Sequence, residues 1–228
     1  MKNIVVLTGA GISAESGLQT FRDSDGLWEG HRIEDVATPR AFAKNPKRVL
    51  DFYNVRRKAA AAVQPNAAHY FLADLQQQYN VQIITQNIDD LHERAGSRNV
   101  LHLHGEIFKM RSIKNEDAIY DIRADIHLGD TDKQGHQLRP HIVWFEEPVP
   151  LIGAAADITA TADIFIVIGT SLVVYPAAGL IHYAPPRSEK FIIDKKTPVM
   201  TNLQNLTAIE ASATNGVEIL KAHLEKLE

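Results

Sequence analysis

The stretch that decides the fold is Ile4-Val5-Val6-Leu7-Thr8-Gly9-Ala10-Gly11-Ile12-Ser13-Ala14. Its apolar run predicts a buried strand, and the small residues that follow predict a tight turn into a helix. Gly9, Gly11 and Ala14 occupy the three small-residue positions of the G-x-G-x-x-G/A fingerprint. Backbone N–H groups in such a turn can close around a phosphate. The stretch therefore predicts a nucleotide site, with a turn that binds no ligand as the alternative.

The composition is that of an ordinary globular chain. Of 228 residues, 45% are hydrophobic, the formal net charge is −4, and cysteine is absent. The length suits one large domain, and the charge does not favour a nucleic-acid partner. We expect no membrane segment, because no apolar run approaches the roughly 20 residues that span a bilayer. We also expect a cytoplasmic protein without a signal peptide. The absence of cysteine excludes disulfides, thiolate nucleophiles and cysteine-ligated zinc.

Apolar strand-like runs alternate with helical segments along the chain. Strands are predicted at about 3–8, 81–86, 100–103, 141–144, 163–168 and 190–194. Helices are predicted at 46–63, 66–78, 149–161, 176–183 and 216–227. The alternation predicts an α/β fold with a doubly wound parallel sheet. Residues 109–139 are polar and break this rhythm, which indicates an inserted module.

Polar clusters follow the glycine turn and two of the predicted strands. The run Thr85–Asp90 lies where ligands bind in open α/β sheets, and its side chains could read an amide-bearing ligand. Helix capping is the alternative. Ile168–Leu172 could contact the nucleotide through its backbone, or form a plain turn. In Phe21-Arg22-Asp23, Arg22 could face phosphate or ribose oxygens, or be a surface arginine.

Two histidines lie close together in Leu101-His102-Leu103-His104-Gly105. Strand alternation places His102 and His104 on one face, and histidine is the usual general base near neutral pH. Gly105 is expected to leave room for a substrate beside His104. Structural histidines are the first alternative. A metal pair is the second, although no further ligands with recognisable spacing follow.

Taken together, five segments resemble the sirtuin family of NAD-dependent protein lysine deacylases. They are GAGISAESGLQTFRD (9–23), TQNIDDLHERAG (85–96), LHGEIF (103–108), RPHIVWFEE (139–147) and GTSLVVYPAAGL (169–180). The resemblance implies a single catalytic domain over residues 1–228. Its Rossmann-like NAD-binding core would comprise 1–108 and 140–228. A small inserted module at about 109–139 would complete it, and helices at 39–63 could join that module.

The resemblance also implies roles for individual residues. His104 would be the catalytic base, and Asn87 would also be catalytic. The implied NAD-binding residues are Gly9, Ala10, Gly11, Ala14, Glu15, Phe21, Arg22, Gln86, Asn87, Ile88, Asp89, His104, Gly169, Thr170, Ser171 and Asp194. Val143, Trp144 and Phe145 would line the acyl-lysine channel. The implied reaction consumes NAD and releases nicotinamide, free lysine and O-acyl-ADP-ribose. His102 matches no catalytic position.

Tyr53 and Arg56 bear on the choice of acyl group. They lie three residues apart in a predicted helix, so they share a face. Arg56 offers a bidentate fork for a carboxylate, and Tyr53 offers a hydroxyl beside it. With small Ala37 leaving room for a longer chain, the pair resembles the sirtuin branch that removes succinyl and malonyl groups. Bacterial members with this pair also resemble general deacetylases, and a surface arginine is the alternative.

The chain departs from the family pattern in three places. Most sirtuins bind structural zinc through two CxxC pairs, which are missing here, so we expect no zinc. The module must then be held by packing, for which the apolar candidates are Ile113, Ile119, Tyr120, Ile122, Ile126 and Leu128. Glu146 replaces a usual glycine near the acyl-lysine channel. Asp194 stands where asparagine commonly contacts the adenine ribose, and a carboxylate could still accept from ribose hydroxyls.

Several functions follow from these residues. The leading one is an NAD-dependent protein lysine deacylase that removes succinyl, malonyl or acetyl groups from acylated-lysine proteins or peptides. An NAD glycohydrolase or ADP-ribosyltransferase is the second. A non-catalytic NAD-binding sensor is the third, although binding alone does not need a base such as His104. A hydride-transfer dehydrogenase fits less well, because nothing marks a second substrate domain. The sequence leaves the acyl preference, the target proteins and the oligomeric state open.

Overall fold

The structure is a computed structural model that describes residues 1–19, 28, 30–198, 200 and 202–227. Its strands in chain order are β1 (Asn3–Thr8), β2 (Asn80–Thr85), β3 (Val100–His102), β4 (Gly105–Ser112), β5 (Ile119–Asp121), β6 (Leu138–Ile142), β7 (Ile164–Ile168), β8 (Glu189–Asp194) and β9 (Leu206–Glu210). Within the described residues, six strands form a parallel sheet in the order β3-β2-β1-β7-β8-β9. The other three form an antiparallel sheet in the order β5-β4-β6.

Helices lie on both faces of the parallel sheet and also against the antiparallel sheet. They are α1 (Ala10–Ala14), α2 (Ile33–Val36), α3 (Pro39–Lys44), α4 (Pro46–Ala62), α5 (Ala67–Asp74), α6 (Leu91–Arg94), α7 (Ile152–Thr159) and α8 (Ala213–Leu224), with 3₁₀ helices at Leu75–Gln77 and Ala177–Tyr183. The long helix α4 has a capped N-terminus. Pro46 suits the first turn, and the Asn45 side chain accepts a hydrogen bond from the Arg48 N–H.

The centre of the parallel sheet is buried on both faces. Strand β1 pairs in register with β2 on one side and β7 on the other. Ile4, Val6 and Ile166 pack into one apolar core, whereas Val5 and Val167 pack into a second core on the opposite face. The strand order reverses direction between β1 and β7, which is the position where open α/β sheets bind ligands. The predicted doubly wound α/β sheet is therefore confirmed.

Several predicted elements differ in place or type. The strand predicted at 141–144 is β6 at Leu138–Ile142, and it belongs to the antiparallel sheet. Strands β4, β5 and β9 were not predicted, because their short runs mix charged and apolar residues without a clean period. The helix predicted at 176–183 is a 3₁₀ helix, and the one predicted at 216–227 begins at Ala213.

The inserted segment is not held together by the packing we expected. Ile113 and Ile119 are each 43% exposed and Leu128 is 60% exposed, so these three form no core. Only Ile126 of the expected set is fully buried, in a small cluster with Leu50 and Leu138. Tyr120 and Ile122 pack against that cluster only in part. Three aliphatic side chains point to water here because the segment is too thin to enclose them.

Hydrogen bonds hold the inserted segment together where apolar packing does not. The buried Asp132 carboxylate accepts from the Ser112 hydroxyl at 2.5 Å and from the backbone N–H groups of Gln134 and His136 at 2.9 Å each. The Ser112 bond lowers the pKa of Asp132 to about 2. An ionised carboxylate with several donors is a strong local anchor. We call this the Asp132 hub.

Helix α4 is joined to the inserted segment by buried polar side chains. Asn54 donates to the Ile126 carbonyl and accepts from the Ile126 N–H, both at 2.9 Å. Arg57 donates to the Ile107 carbonyl at 2.8 Å and to Asn54 at 2.7 Å. Burial lowers the pKa of Arg57 to about 10. These bonds support grouping α4 with the inserted module, and the domain boundaries stay a prediction.

The described residues contain no helix with the length and apolar character needed to cross a bilayer.

Candidate active site

A cavity of about 540 Å³ opens at the carboxyl ends of β1, β2, β7 and β8. It lies beside the reversal of strand order between β1 and β7. The predicted site residues that line it are Gly9, Ala10, Gly11, Ala14, Ala37, Tyr53, Arg56, Gln86, Asn87, Ile88, Asp89, His104, Val143, Trp144, Phe145, Gly169, Thr170, Ser171 and Asp194. Phe21 and Arg22 lie outside the described residues.

Glu15 does not line this cavity. Its carboxylate accepts from the backbone N–H of Thr214 at 2.9 Å and from the Thr214 hydroxyl at 2.8 Å. Burial works against ionisation, but these hydrogen bonds hold the pKa of Glu15 below its ordinary value. In this structure Glu15 connects α1 to the start of α8, and its cofactor-binding role stays a prediction.

The glycine turn after β1 is built around the turn after β7. The Gly9 N–H donates to the Ile168 carbonyl at 3.1 Å, and the Gly11 N–H donates to the Gly169 carbonyl at 2.8 Å. A Cβ on Gly11 would lie 2.6 Å from the Gly169 Cα, which is too close for any other residue. In this structure the N–H groups of Gly9 and Gly11 are used to join the two turns, and the cofactor-binding role of these glycines stays a prediction. These glycines are needed because two backbones touch.

A polar network sits behind this turn. Asn87 donates from its side chain to the Gly9 carbonyl and to the Ser13 hydroxyl, both at 3.1 Å. Ser13 in turn donates to Asp89 at 3.1 Å, and the Leu91 N–H reaches the other Asp89 oxygen at 3.2 Å. Burial raises the pKa of Asp89, although these two hydrogen bonds oppose the shift. The network fixes both side chains at the wall of the cavity.

Gln86, which follows β2, forms hydrogen bonds with residues at the carboxyl ends of β1 and β7. Its backbone N–H donates to the Thr8 carbonyl at 2.9 Å, and its side chain donates to the Thr170 hydroxyl at 3.1 Å. The turns after β1, β2 and β7 are thus cross-linked at the cavity floor.

His104 has the geometry of a general base. Its Nδ1 lies 3.0 Å from the Gln86 carbonyl oxygen, which only accepts, so Nδ1 carries the proton. Its Nε2 has no hydrogen-bond partner among the described residues. Burial lowers the pKa of His104, although the bond to Gln86 opposes the shift. The imidazole is therefore neutral at pH 7, with Nε2 able to accept a proton.

Gly105 serves a purpose other than the one we expected. Its φ is +81°, and a Cβ there would lie 2.0 Å from the His141 carbonyl oxygen. Gly105 pairs with Ile142, so its missing side chain lets β6 approach β4. The expectation that Gly105 leaves room for a substrate is wrong.

Tyr53 and Arg56 lie on the α4 face that lines the cavity. The Arg56 guanidinium lies 4.3 Å from the centre of the Trp28 ring and 5.9 Å from that of Phe52. Tyr53 is fully buried, and burial raises the pKa of its hydroxyl while the Arg56 charge opposes this. The hydroxyl makes no well-aligned hydrogen bond to any described residue. A buried donor and a cation therefore share one wall with Ala37, which is also buried.

The segment 143–147 is held by two residues that sequence reasoning missed as site residues. Arg139 donates twice to Glu147, at 2.6 and 3.0 Å, and Glu147 accepts from the Trp144 N–H at 2.8 Å. The Arg139 guanidinium also lies 3.2 Å from the centre of the Trp144 ring. Both residues stand inside the quoted segment RPHIVWFEE, which was the available signal. Ser13 likewise stands inside the first quoted segment.

Glu146 has a φ of +73°. This left-handed conformation favours glycine, which agrees with the glycine that the family usually has here. Glu146 lines the cavity, and its carboxylate forms an ion pair with the exposed Arg40.

The donor set fits a dinucleotide and does not fit zinc. Small-residue turns follow β1 and β7, and Asp194, which ends β8, lines the cavity with a side chain that could accept from ribose hydroxyls. Its contact with the cofactor stays a prediction. By contrast, the chain has no cysteine, and no group of three metal-ligating side chains occurs among the described residues. The absence of zinc stays a prediction for metal analysis.

Comparison with known proteins gives a consistent result. A protein relative from Helicobacter pylori, named NAD-dependent protein deacylase, is 52% identical over 98% of this chain and 98% of its own length. One of the same name from Bacteroides thetaiotaomicron is 50% identical over 97% of each chain. A Sir2 homologue solved as an NAD complex has a TM-score of 0.87 and 40% identity, covering 99% of this chain and 90% of its own.

A mutant Sir2 homologue in complex with ADP-ribose has a TM-score of 0.89 and 40% identity, covering 99% of this chain and 93% of its own. The family model described as "Sir2 family" matches residues 9–176, which include the glycine turn, the polar network and His104. The resemblance to sirtuins is confirmed by sequence and by fold: the chain belongs to the Sir2 family.

Proposed function

We propose that this protein, an NAD-dependent protein deacylase of the Sir2 family, removes succinyl, malonyl and acetyl groups from protein lysines and favours the two acidic groups. The reaction would consume NAD and one water molecule, and the products would be nicotinamide, free lysine and O-acyl-ADP-ribose. The observation that carries the acidic preference is that Arg56 and Tyr53 line the same cavity as His104. The cytoplasmic location expected from the sequence also stays a prediction.

Arg56 is suited to bind a carboxylate. Its planar guanidinium can donate two parallel hydrogen bonds, and stacking on Trp28 and Phe52 limits its freedom. The nearby Tyr53 hydroxyl is buried without a well-aligned partner among the described residues, so a carboxylate oxygen would satisfy it. A succinyl or malonyl group ends in such a carboxylate, whereas an acetyl group has nothing for either residue to bind.

The remaining residues position the reaction. NAD, when bound, supplies the ribose carbon that receives the acyl oxygen and the nicotinamide that leaves. His104 would take a proton from a ribose hydroxyl at its Nε2 atom. Nε2 is able to accept it because the hydrogen bond to the Gln86 carbonyl keeps the ring proton on Nδ1. Asn87 and Asp89 would hold the nicotinamide end, where the network through Ser13 fixes them. Val143, Trp144 and Phe145 would guide the lysine chain, supported by Arg139 and Glu147.

The acyl preference is tested with matched acetyl-, malonyl- and succinyl-lysine peptides. Arg56→Met removes the fork, so kcat/KM for the succinyl peptide should fall about 10- to 100-fold, as expected for hydrogen bonds to a charged group. Deacetylation should change by no more than about threefold, since an acetyl group gives the fork nothing to bind. Arg56→Lys keeps the charge without the fork and should fall between these values. Product analysis by mass spectrometry measures each rate.

If Arg56→Met lowered kcat/KM equally for the acetyl and succinyl peptides, the proposal that Arg56 binds the acyl carboxylate would be wrong. His104→Ala is the control for the shared chemistry, and it should abolish turnover of all three peptides. Release of nicotinamide without O-acyl-ADP-ribose would point instead to the alternative, an NAD glycohydrolase or ADP-ribosyltransferase.

A further inference from the structure

His102 is a buried histidine that the proposed chemistry does not use. It ends β3, and its side chain is 8% exposed. Its Nδ1 lies 3.0 Å from the Asn87 carbonyl oxygen, and its Nε2 lies 2.8 Å from a Glu93 carboxylate oxygen. His104 makes the equivalent Nδ1 contact with the adjacent carbonyl, that of Gln86. The two histidines thus bind two consecutive carbonyls beside the cavity.

The partners of His102 decide its charge. A carbonyl oxygen and a carboxylate oxygen both accept hydrogen bonds and donate none. Both ring nitrogens of His102 must therefore carry protons for both contacts to be hydrogen bonds. This is the imidazolium form, in contrast to the neutral ring of His104.

The surroundings of His102 agree with a positive charge. Glu93 on α6 contacts it directly, and Glu106 on β4 adds a more distant negative charge that is itself paired with Lys109 at 2.7 Å. The Asp89 carboxylate also interacts electrostatically with His102. His92 on α6 is buried, and burial keeps its pKa well below the ordinary value, so it is neutral. Burial opposes protonation of His102, but the bonds and charges of Glu93 leave its pKa raised.

His102 is connected to the polar network through the backbone of Asn87. Asn87 is held at its side chain by Gly9 and Ser13, and at its backbone by the Thr85 hydroxyl and His102. The charge on His102 also acts on Asp89, where it opposes the effect of burial and favours the carboxylate. One buried cation therefore acts on both residues assigned to the nicotinamide end.

We propose that His102, held as an imidazolium by Glu93, is a positioning residue that fixes Asn87 at the cavity wall. The proposal rests on the proposed function, because that function assigns Asn87 and Asp89 to the nicotinamide. Turnover then needs His104 neutral and His102 protonated. Activity should rise with pH as His104 loses its proton, and fall at higher pH as His102 loses its own.

The first test reads the charge of His102 without turnover. In protein labelled with ¹⁵N-histidine, long-range ¹H–¹⁵N NMR distinguishes protonated from unprotonated ring nitrogens, and His102→Gln identifies the signal. We expect His102 to be doubly protonated at pH 7 and His104 to be neutral. A neutral His102 at pH 7 would overturn the proposal.

The second test uses the pH profile of kcat/KM for NAD. Glu93→Gln removes the charge that holds the proton on His102, so the alkaline fall should move down by about one pH unit or more. His102→Gln should remove that fall and lower kcat/KM about 10- to 100-fold, because Asn87 loses a restraint. The double variant should lose no more than His102→Gln alone, since the two residues act as a pair.

The controls separate this proposal from other failures. His182→Gln changes an exposed histidine far from the network and should leave the profile unchanged. Thermal unfolding and calorimetric NAD binding show whether each variant is folded. An alkaline fall that stays in place in Glu93→Gln would overturn the proposal. Wild-type protein that binds NAD but deacylates no peptide would overturn the proposed function, while the NMR result would still decide the charge of His102.

Discussion

Glu146 holds a backbone conformation that costs free energy. Its φ of +73° brings the Cβ of an L-residue close to the backbone, at about 1–2 kcal/mol. The ion pair with Arg40 lies on the surface and offsets little of this cost, because water screens it. The conformation persists because Glu147, next in the chain, anchors the segment through Arg139 and Trp144.

Glu146→Gly is therefore expected to stabilise the protein by about 0.5–1 kcal/mol, since part of the gain is lost to the flexibility of glycine in the unfolded chain. Urea unfolding followed by circular dichroism measures the change. Arg40→Ala removes the ion pair alone and should leave stability almost unchanged. If Glu146→Gly destabilises the protein more than Arg40→Ala does, the carboxylate contributes more than its backbone costs.

Site residues were predictable where they follow a buried apolar strand. Asn87, Asp89 and Thr170 stand directly after such runs, so their place in the cavity could be inferred from the carboxyl ends of strands. Ser13 was missed because its partners Asn87 and Asp89 lie 74 and 76 residues away in the sequence. Arg139 and Glu147 were missed because a spacing of eight residues does not by itself indicate an ion pair. The different protonation states that we infer for His102 and His104 could not be predicted either, since a two-residue spacing shows a shared face but no hydrogen-bond partners.

Among the elements, the inserted segment gains a dependence on pH from the Asp132 hub. The folded pKa of Asp132 is about 2, below its ordinary value, because Ser112 and the backbone N–H groups of Gln134 and His136 stabilise the carboxylate. Its contribution to stability is present above the ordinary pKa of about 4 and is lost as pH falls toward the folded pKa.

Asp132→Asn should lower the unfolding temperature at neutral pH and weaken its dependence on pH between about 4 and 2. Differential scanning calorimetry across this range measures both effects. Asp117→Asn, at an exposed aspartate of the same segment, is the matched control and should behave like the wild type. An unchanged acid dependence in Asp132→Asn, or stoichiometric zinc in the purified protein, would show that another anchor holds the segment.

The elements differ in how clearly the sequence indicates which of their residues are buried. Strands β1 and β7 are almost continuously apolar because both faces are covered, and β2 and β8 keep short apolar runs; all four were predicted near their true positions. Strand β4 has a mixed pattern, because it must bond to two neighbours while Lys109 stays at the surface. The inserted segment was read as an apolar core because Ile113 and Leu128 are apolar, yet apolarity alone does not show whether anything covers a side chain.

On the scale of the whole molecule, the two sheets meet at Gly105. Strand β3 belongs to the parallel sheet and ends at His102, and β4 begins the antiparallel sheet at Gly105. His104 lies between them, so the joint also places the predicted base. Gly105 allows the chain to turn there with β6 in contact.

Gly105→Ala should destabilise the protein by about 3–5 kcal/mol, through backbone strain and overlap with the His141 carbonyl. It should also reduce deacylation by displacing His104. Gly129→Ala is the control, because Gly129 also has a positive φ, of +99°, but open space around it. That variant should lose only about 1–2 kcal/mol. Similar losses in both variants, measured by urea unfolding, would argue against a close approach at Gly105.

The bonded turns after β1 and β7 have a consequence for the entropy of binding. Because Gly9 and Gly11 already donate to Ile168 and Gly169, this part of the floor is ordered before a nucleotide arrives. Association need not offset the loss of loop freedom there, which is one of its usual costs. Exposed long side chains at the cavity, such as Lys195 and Lys196 beside Asp194, would still lose rotamer freedom if a nucleotide contacted them.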